Sequence, residues 1–197
     1  MQRLQLQDAF EDDFDGFLNL EPLTDSEKGA AADLRTIWRN YRYQQKTAEN
    51  YVKTAGAPLL LWSCGYMAAG LQLSLEEDIE EISDDDGETV IRGRMDMLVS
   101  HPPRSDQAAL CVLIIENKQG RFDTTVGIPQ LLTYASTFLK HQPLVWGLVT
   151  NGYLYEFIRV EQGLFREFRT LSLSSVQDSE TLLQVAIAIR KLTKTAE

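Results

Sequence analysis

Ala108-Ala109-Leu110-Cys111-Val112-Leu113-Ile114-Ile115-Glu116-Asn117-Lys118 is the stretch from which the rest of the chain is read. An unbroken apolar run from Ala108 to Ile115 suits a strand buried on both faces of a central sheet. The run stops at a carboxylate and, two residues on, an ammonium. Alternate strand residues share a face roughly 7 Å apart, so Glu116 and Lys118 project together from the strand end. Ionised groups beside a buried strand are costly unless they are paired or bound to a metal. Taken alone, the pair is most simply a surface ion pair at a strand end.

The neighbouring segment changes that balance. Gly93-Arg94-Met95-Asp96-Met97-Leu98-Val99 sets one acid, Asp96, within an otherwise apolar extended stretch. Two carboxylates from adjacent strands, together with the backbone carbonyl of Asn117, offer the hard oxygen ligands that Mg²⁺ prefers. A lysine beside them can orient or help deprotonate an attacking water and offset charge building on a phosphorus atom.

Working outward, Leu34, Ile37, Trp38, Tyr41, Ala48 and Val52 recur at helical spacing after an N-cap at Thr24 or Asp25, as one long helix or two. Pro58 to Trp62 reads as a short helix ending near Gly65, and Leu71, Leu73 and Leu75 alternate as a strand does. Asp84 to Gly87 reads as a turn before an extended segment from Thr89 to Ser100. Ile128 to Leu139 has helical spacing, and Leu144 to Val149 is another apolar strand. Asn151-Gly152 joins it in a hairpin to Tyr153–Val160, and a further hairpin is expected at Gln162-Gly163. Leu182, Leu183, Val185, Ala186, Ile189 and Leu192 form the apolar stripe of a last helix with a basic end.

The 197 residues, 44% hydrophobic, suffice for one domain with a sizeable core. Its longest apolar runs fall short of a bilayer span, and the start lacks the pattern of a secretory signal, so a cytoplasmic, non-membrane protein is expected. Cys64 and Cys111, amid apolar neighbours, read as buried free thiols. The net charge of −10 argues against gripping nucleic acid by bulk charge, so any DNA contact must be local.

Asp96 followed by Glu116-Asn117-Lys118 resembles the D...ExK signature of the PD-(D/E)xK nuclease superfamily. Glu49 to Val52 with Pro58-Leu59-Leu60-Leu61-Trp62-Ser63-Cys64-Gly65-Tyr66 resembles the helix and the segment that precede the nuclease strands in type I restriction R subunits. Gly127-Ile128-Pro129-Gln130-Leu131-Leu132-Thr133-Tyr134 resembles that family's QxxxY helix, and Val149 to Gly152 its following strand and turn. The resemblance covers roughly residues 49–160 and is nearest to short stand-alone R-subunit-like proteins. It implies an α/β, restriction-endonuclease-like fold, a central mixed sheet flanked by helices, in a domain spanning 26–197 after an acidic leader of 1–25. It also implies Asp96 and Glu116 as metal ligands, Lys118 as the catalytic lysine, Glu49 as a helper carboxylate, and Gln130 with Tyr134 as an auxiliary pair. The proline often found before the first acid is replaced by Arg94-Met95, and no GxxxxGK[ST] motor motif occurs.

The expected function is Mg²⁺- or Mn²⁺-dependent hydrolysis of DNA, alone or with other restriction or defence subunits. A homodimer is expected if both strands are cut. The alternative is a catalytically silent DNA-binding or partner-binding module of the same fold. A basic stripe at Arg35, Arg39, Arg42, Lys46 and Lys53 and the acidic run from Glu76 to Asp86 are better read as solvated faces. His101 and His141 lack the company a zinc site needs.

Overall fold

The structure, a computed structural model, describes residues 7–43, 55–67, 70–83, 89–102, 110–117 and 124–192. In chain order the elements are β1 (Gln7–Glu11), α1 (Asp25–Tyr43), α2 (Ala57–Ser63), β2 (Gln72–Ser83), β3 (Thr89–His101) and β4 (Leu110–Asn117). A 3₁₀ turn (Thr124–Gly127) leads to α3 (Ile128–Phe138), β5 (Leu144–Thr150), β6 (Leu154–Glu161), β7 (Leu164–Phe168), β8 (Leu171–Ser172) and α4 (Val176–Leu192).

The apolar run of β4 is buried from Cys111 through Glu116 because strands cover both its edges and helices both its faces. Among the described residues the sheet has eight strands, ordered β1-β7-β6-β5-β4-β3-β2, with β8 beside β6. The β4–β5 and β1–β7 pairs are parallel and the others antiparallel. A parallel pair needs a crossover, and the 3₁₀ turn with α3 supplies it for β4 and β5. The fold is α/β, a central mixed sheet flanked by helices, as the sequence leads one to expect.

Alternation along the strands sorts the core into two layers. On one side Val112, Leu113, Ile115, Trp146, Leu148 and Phe157 join residues from α1, α2 and α4. On the other, Ile114, Val145, Val149 and Ile158 meet Ile128, Leu131, Tyr134 and Ala135 of α3. Gly147 lets α3 come this close, since a Cβ there would stand 2.5 Å from Leu131 Cδ1.

Local chemistry sets the helix boundaries. Thr24 caps α1: its backbone N and Oγ1 lie 2.7 and 2.8 Å from Glu27 Oε2, and Glu27 N donates back to Thr24 Oγ1 at 3.3 Å. This reciprocal pattern satisfies two donors that a helix start leaves open. Trp38 stacks on Tyr153 at 4.6 Å, the core role expected of it. Tyr66, just past α2, donates to the Ala186 carbonyl at 2.7 Å and so ties that segment to α4.

Part of the expected leader belongs to the domain itself. β1 pairs in parallel with β7, Gln7 opposite Leu164 through Glu11 opposite Phe168, and Phe14, Leu18 and Leu23 lie in the larger core cluster. Phe14 stacks on Phe168 at 4.6 Å. These scattered apolar residues find partners only in three dimensions, so the acid-rich local sequence does not reveal them.

Cys64 and Cys111 are buried and free. Burial pushes the Cys64 thiol up from an ordinary value near 9 to about 12, and Cys111 is raised further by the same cause. A raised folded-state value contributes stability that is fully present below about pH 9 and lost as pH rises through about 12. Native protein at pH 8 should therefore react with iodoacetamide only as fast as it unfolds, and urea midpoints should fall from about pH 9 upward. Rapid alkylation of both thiols in the native state would contradict this placement. Gly147→Ala should destabilise by about 1–3 kcal/mol through overpacking against Leu131, measured by the same urea titration.

Candidate active site

Asp96 on β3 and Glu116 on β4 are 8% and 1% exposed, unusual values for carboxylates. They come together where the two strands part. The last β3–β4 pair is Met97 opposite Ile115, and Asp96 and Glu116 are the next residues along each strand. On the other side of Asp96 the ladder keeps its register, Leu75 opposite Met97 and Glu77 opposite Met95, and skips only the Glu76–Asp96 step between them. Glu76, between them, takes φ 52°, a left-handed conformation that costs a non-glycine residue about 1 kcal/mol or more. Asp96 thus lies just beyond the last β3–β4 pair and at the one skipped step of the β2–β3 ladder.

α3 brings the polar groups expected of it. Gln130 Nε2 donates to the Tyr134 hydroxyl at 2.7 Å, and that hydroxyl donates to the Arg94 carbonyl at 2.8 Å. The helix is thereby fastened to β3 two residues from Asp96. A Cβ on Gly93 would stand 2.8 Å from Tyr134 Cε1, so the ring packs where only glycine leaves room. Burial raises the Tyr134 pKa above its ordinary value, and the carboxylates of Glu116 and Asp96 push it the same way. Both carboxylates therefore lie within electrostatic reach of this hydroxyl, which stays protonated and can donate.

A third buried carboxylate escaped sequence reasoning. Glu116 and Glu156 both pair with Val149, from β4 and β6 respectively, so the three residues form a row on one face. Neighbouring strands lie about 4.8 Å apart, which sets the two glutamate Cα atoms roughly 10 Å apart. Glu156 is 4% exposed and accepts a 2.6 Å hydrogen bond from Thr124 Oγ1, at the start of the 3₁₀ turn. Its local sequence signal is a single acid between Tyr155 and Phe157.

The adjoining hairpin is closed by side chains. Asn151 Oδ1 accepts from the amides of Tyr153 and Leu154 at 3.0 and 2.8 Å, and Gly152 takes φ 81°. The expected Asn-Gly turn is thus present, directly after the strand that flanks Glu116.

Of the expected site residues, the structure brings together Asp96, Glu116 and Gln130, with Asn117 closing β4 opposite Thr150. Lys118 and Glu49 lie outside the described residues. So do Lys46 and Lys53 of the basic stripe. Among the described residues, no group of three or more His, Cys, Asp or Glu is placed to hold a metal. The expected donor set has only two such side chains, with a backbone carbonyl as the third donor. Its all-oxygen chemistry fits Mg²⁺ or Mn²⁺ better than a softer ion.

No protein-family model matches the chain, and no curated protein matches it. Among solved structures, the chain is similar to one in a cryo-EM structure of a DrdV–DNA complex, with a TM-score of 0.51 and 17% identity over 81% of this chain. The chain spans only 14% of the length of that relative. The likeness concerns the fold, and it agrees with the restriction-endonuclease-like architecture read from the sequence. Among the described residues, no helix is long and apolar enough to cross a membrane.

Thr124→Val should destabilise the protein by about 1–3 kcal/mol, because it strips a hydrogen bond from a buried carboxylate. The loss should shrink when Glu156 is first changed to Gln, as a double-mutant cycle of urea midpoints would measure. Additive effects would show that the 2.6 Å contact contributes nothing specific.

Proposed function

We propose that this protein is a metal-dependent endodeoxyribonuclease whose site is built on Asp96, Glu116 and Lys118. The observation that carries the reading is the convergence of two buried carboxylates, far apart in sequence, where β3 and β4 separate and beside the Gln130–Tyr134 pair. An isolated buried carboxylate is expensive, and two side by side more so unless a cation is shared between them.

Asp96 and Glu116, with the Asn117 carbonyl, would hold Mg²⁺ or Mn²⁺. Bound there, such an ion supplies charge neutralisation at the scissile phosphate and a more acidic water. Lys118, two residues beyond Glu116 in sequence, would supply the cation that orients the attacking water and balances negative charge on the phosphorus. Gln130, through Tyr134, fixes the approach of α3 to β3, and Glu49 is the helper carboxylate proposed from the first helical region. DNA is the proposed partner. Other restriction or defence subunits are further candidates, and a homodimer is expected if both strands are cut.

The test uses purified protein with supercoiled plasmid, linear duplex and single-stranded DNA in Mg²⁺ and in Mn²⁺. Cleavage should depend on the metal and fall at least about 10²-fold in Asp96→Ala and Lys118→Ala, with the Lys118 variant keeping its thermal stability. Millimolar Mn²⁺ should raise the melting temperature of the parent and not of Asp96→Ala. Equal cutting by parent and variants would overturn the site. Metal-induced stabilisation without cleavage on any substrate would favour a DNA-binding or partner-binding module instead.

A further inference from the structure

Glu156 has no part in the chemistry assigned above, yet it is a carboxylate held almost entirely out of water on β6. Burying an ionisable group costs stability, so its presence there needs a compensating contact or a use. One contact is the hydrogen bond from Thr124 Oγ1 to Glu156 Oε2, whose 2.6 Å is typical of a hydroxyl donating to an ionised carboxylate. Glu156 is thereby a negative charge in the interior.

The sheet sets that charge beside the site proposed for the metal. β5 alone separates β6 from β4, and Glu116, Val149 and Glu156 form a row on the face that α3 covers. Val149, between the two acids, is buried, and Ile114, Ile158, Ile128 and Leu131 belong to the same apolar layer. Two strand spacings place the glutamate Cα atoms roughly 10 Å apart. Apolar side chains screen a charge far less than water or salt does, so it is still felt at that range. Direct ligation is a different matter: among the described residues Glu156 joins no group of three or more His, Cys, Asp or Glu placed to hold one ion.

We propose that Glu156 is a remote charge partner of the metal site, raising its affinity for a divalent cation through the field across Val149 without touching the ion. The inference rests on the nuclease reading, since it takes Asp96 and Glu116 as the ligands. A cation between those two acids relieves their repulsion with Glu156 as well as with each other. At about 10 Å and a protein-like effective dielectric, attraction to a doubly charged ion changes Kd by about tenfold or more.

The experiment measures Mn²⁺ binding to the full chain through the electron paramagnetic resonance signal of the free ion, for the parent, Glu156→Gln and Glu156→Asp. Glutamine matches glutamate in shape and can still accept from Thr124, so it removes the charge alone. Glu156→Gln should bind Mn²⁺ about tenfold more weakly, and Glu156→Asp, which keeps the charge, within about threefold of the parent. Equal binding by the parent and Glu156→Gln would overturn the proposal and leave the nuclease site standing. Equal weakening in both variants would overturn it too, because packing and not charge would then be the cause. Absence of Mn²⁺ binding in the parent would instead overturn the nuclease reading, and this inference with it. Should Glu156→Gln fail to fold, the double variant Thr124→Val with Glu156→Met removes the same charge without orphaning a hydrogen-bond partner, and the same tenfold loss is expected of it.

Discussion

The parallel pairing of β4 with β5 requires a crossover on one face of the sheet, and the segment that makes it turns a strand end into a site. Thr124 to Phe138 lies over the face that bears Glu116, Val149 and Glu156. Without that cover the two glutamates would be ordinary polar residues of a half-solvated sheet. With it they are buried, and burial makes their hydrogen bonds and charge partners matter. Thr124 meets Glu156 at the start of the crossover, and Tyr134 meets β3 in its helix. The same element that excludes water also supplies the polar contacts that make exclusion tolerable.

Close approach is the second condition, and glycine provides it at two points. Gly147 admits Leu131 and Gly93 admits the Tyr134 ring, so α3 rests nearer the sheet than side chains would otherwise permit. The hydroxyl of Tyr134 then reaches a backbone carbonyl of β3, where a fixed bond length leaves little freedom in the spacing. Positioning to a fraction of an ångström is what a carboxylate site needs from its surroundings. Backbone and helix packing deliver it here, with no long surface loop involved among the described residues.

How much of this the sequence discloses depends on whether the signal is local. The apolar run into Glu116, the lone acid at Asp96, the Gln130–Tyr134 spacing and the Asn151-Gly152 turn are each legible within a few residues, and each is found where expected. β1 is not legible, because Gln7–Glu11 is acid-rich and its pairing partner β7 lies near the far end of the chain. Glu156 is hidden for a different reason. In Tyr155-Glu156-Phe157-Ile158 an acid falls on what looks like the solvent face of an alternating strand, and only the crossover helix, distant in the pattern, makes that face an interior. Gly93 and Gly147 likewise read as weak points in strands until the side chains opposite them are known.

The charge of the molecule bears on the same arrangement. A net charge of −10 opposes the approach of a phosphate backbone, and two buried carboxylates at the site oppose it most strongly at short range. Nearby, Arg94 is already engaged by Glu76 and Asp78, at 3.2 and 2.9 Å, and is no free cation for a phosphate. On the nuclease reading proposed above, phosphate binding at this strand end would be coupled to cation binding between Asp96 and Glu116. On that reading the buried acids would do more than provide ligands for a metal: they would make an anionic substrate unwelcome without it, so that the proposed substrate and cofactor would bind as a linked pair.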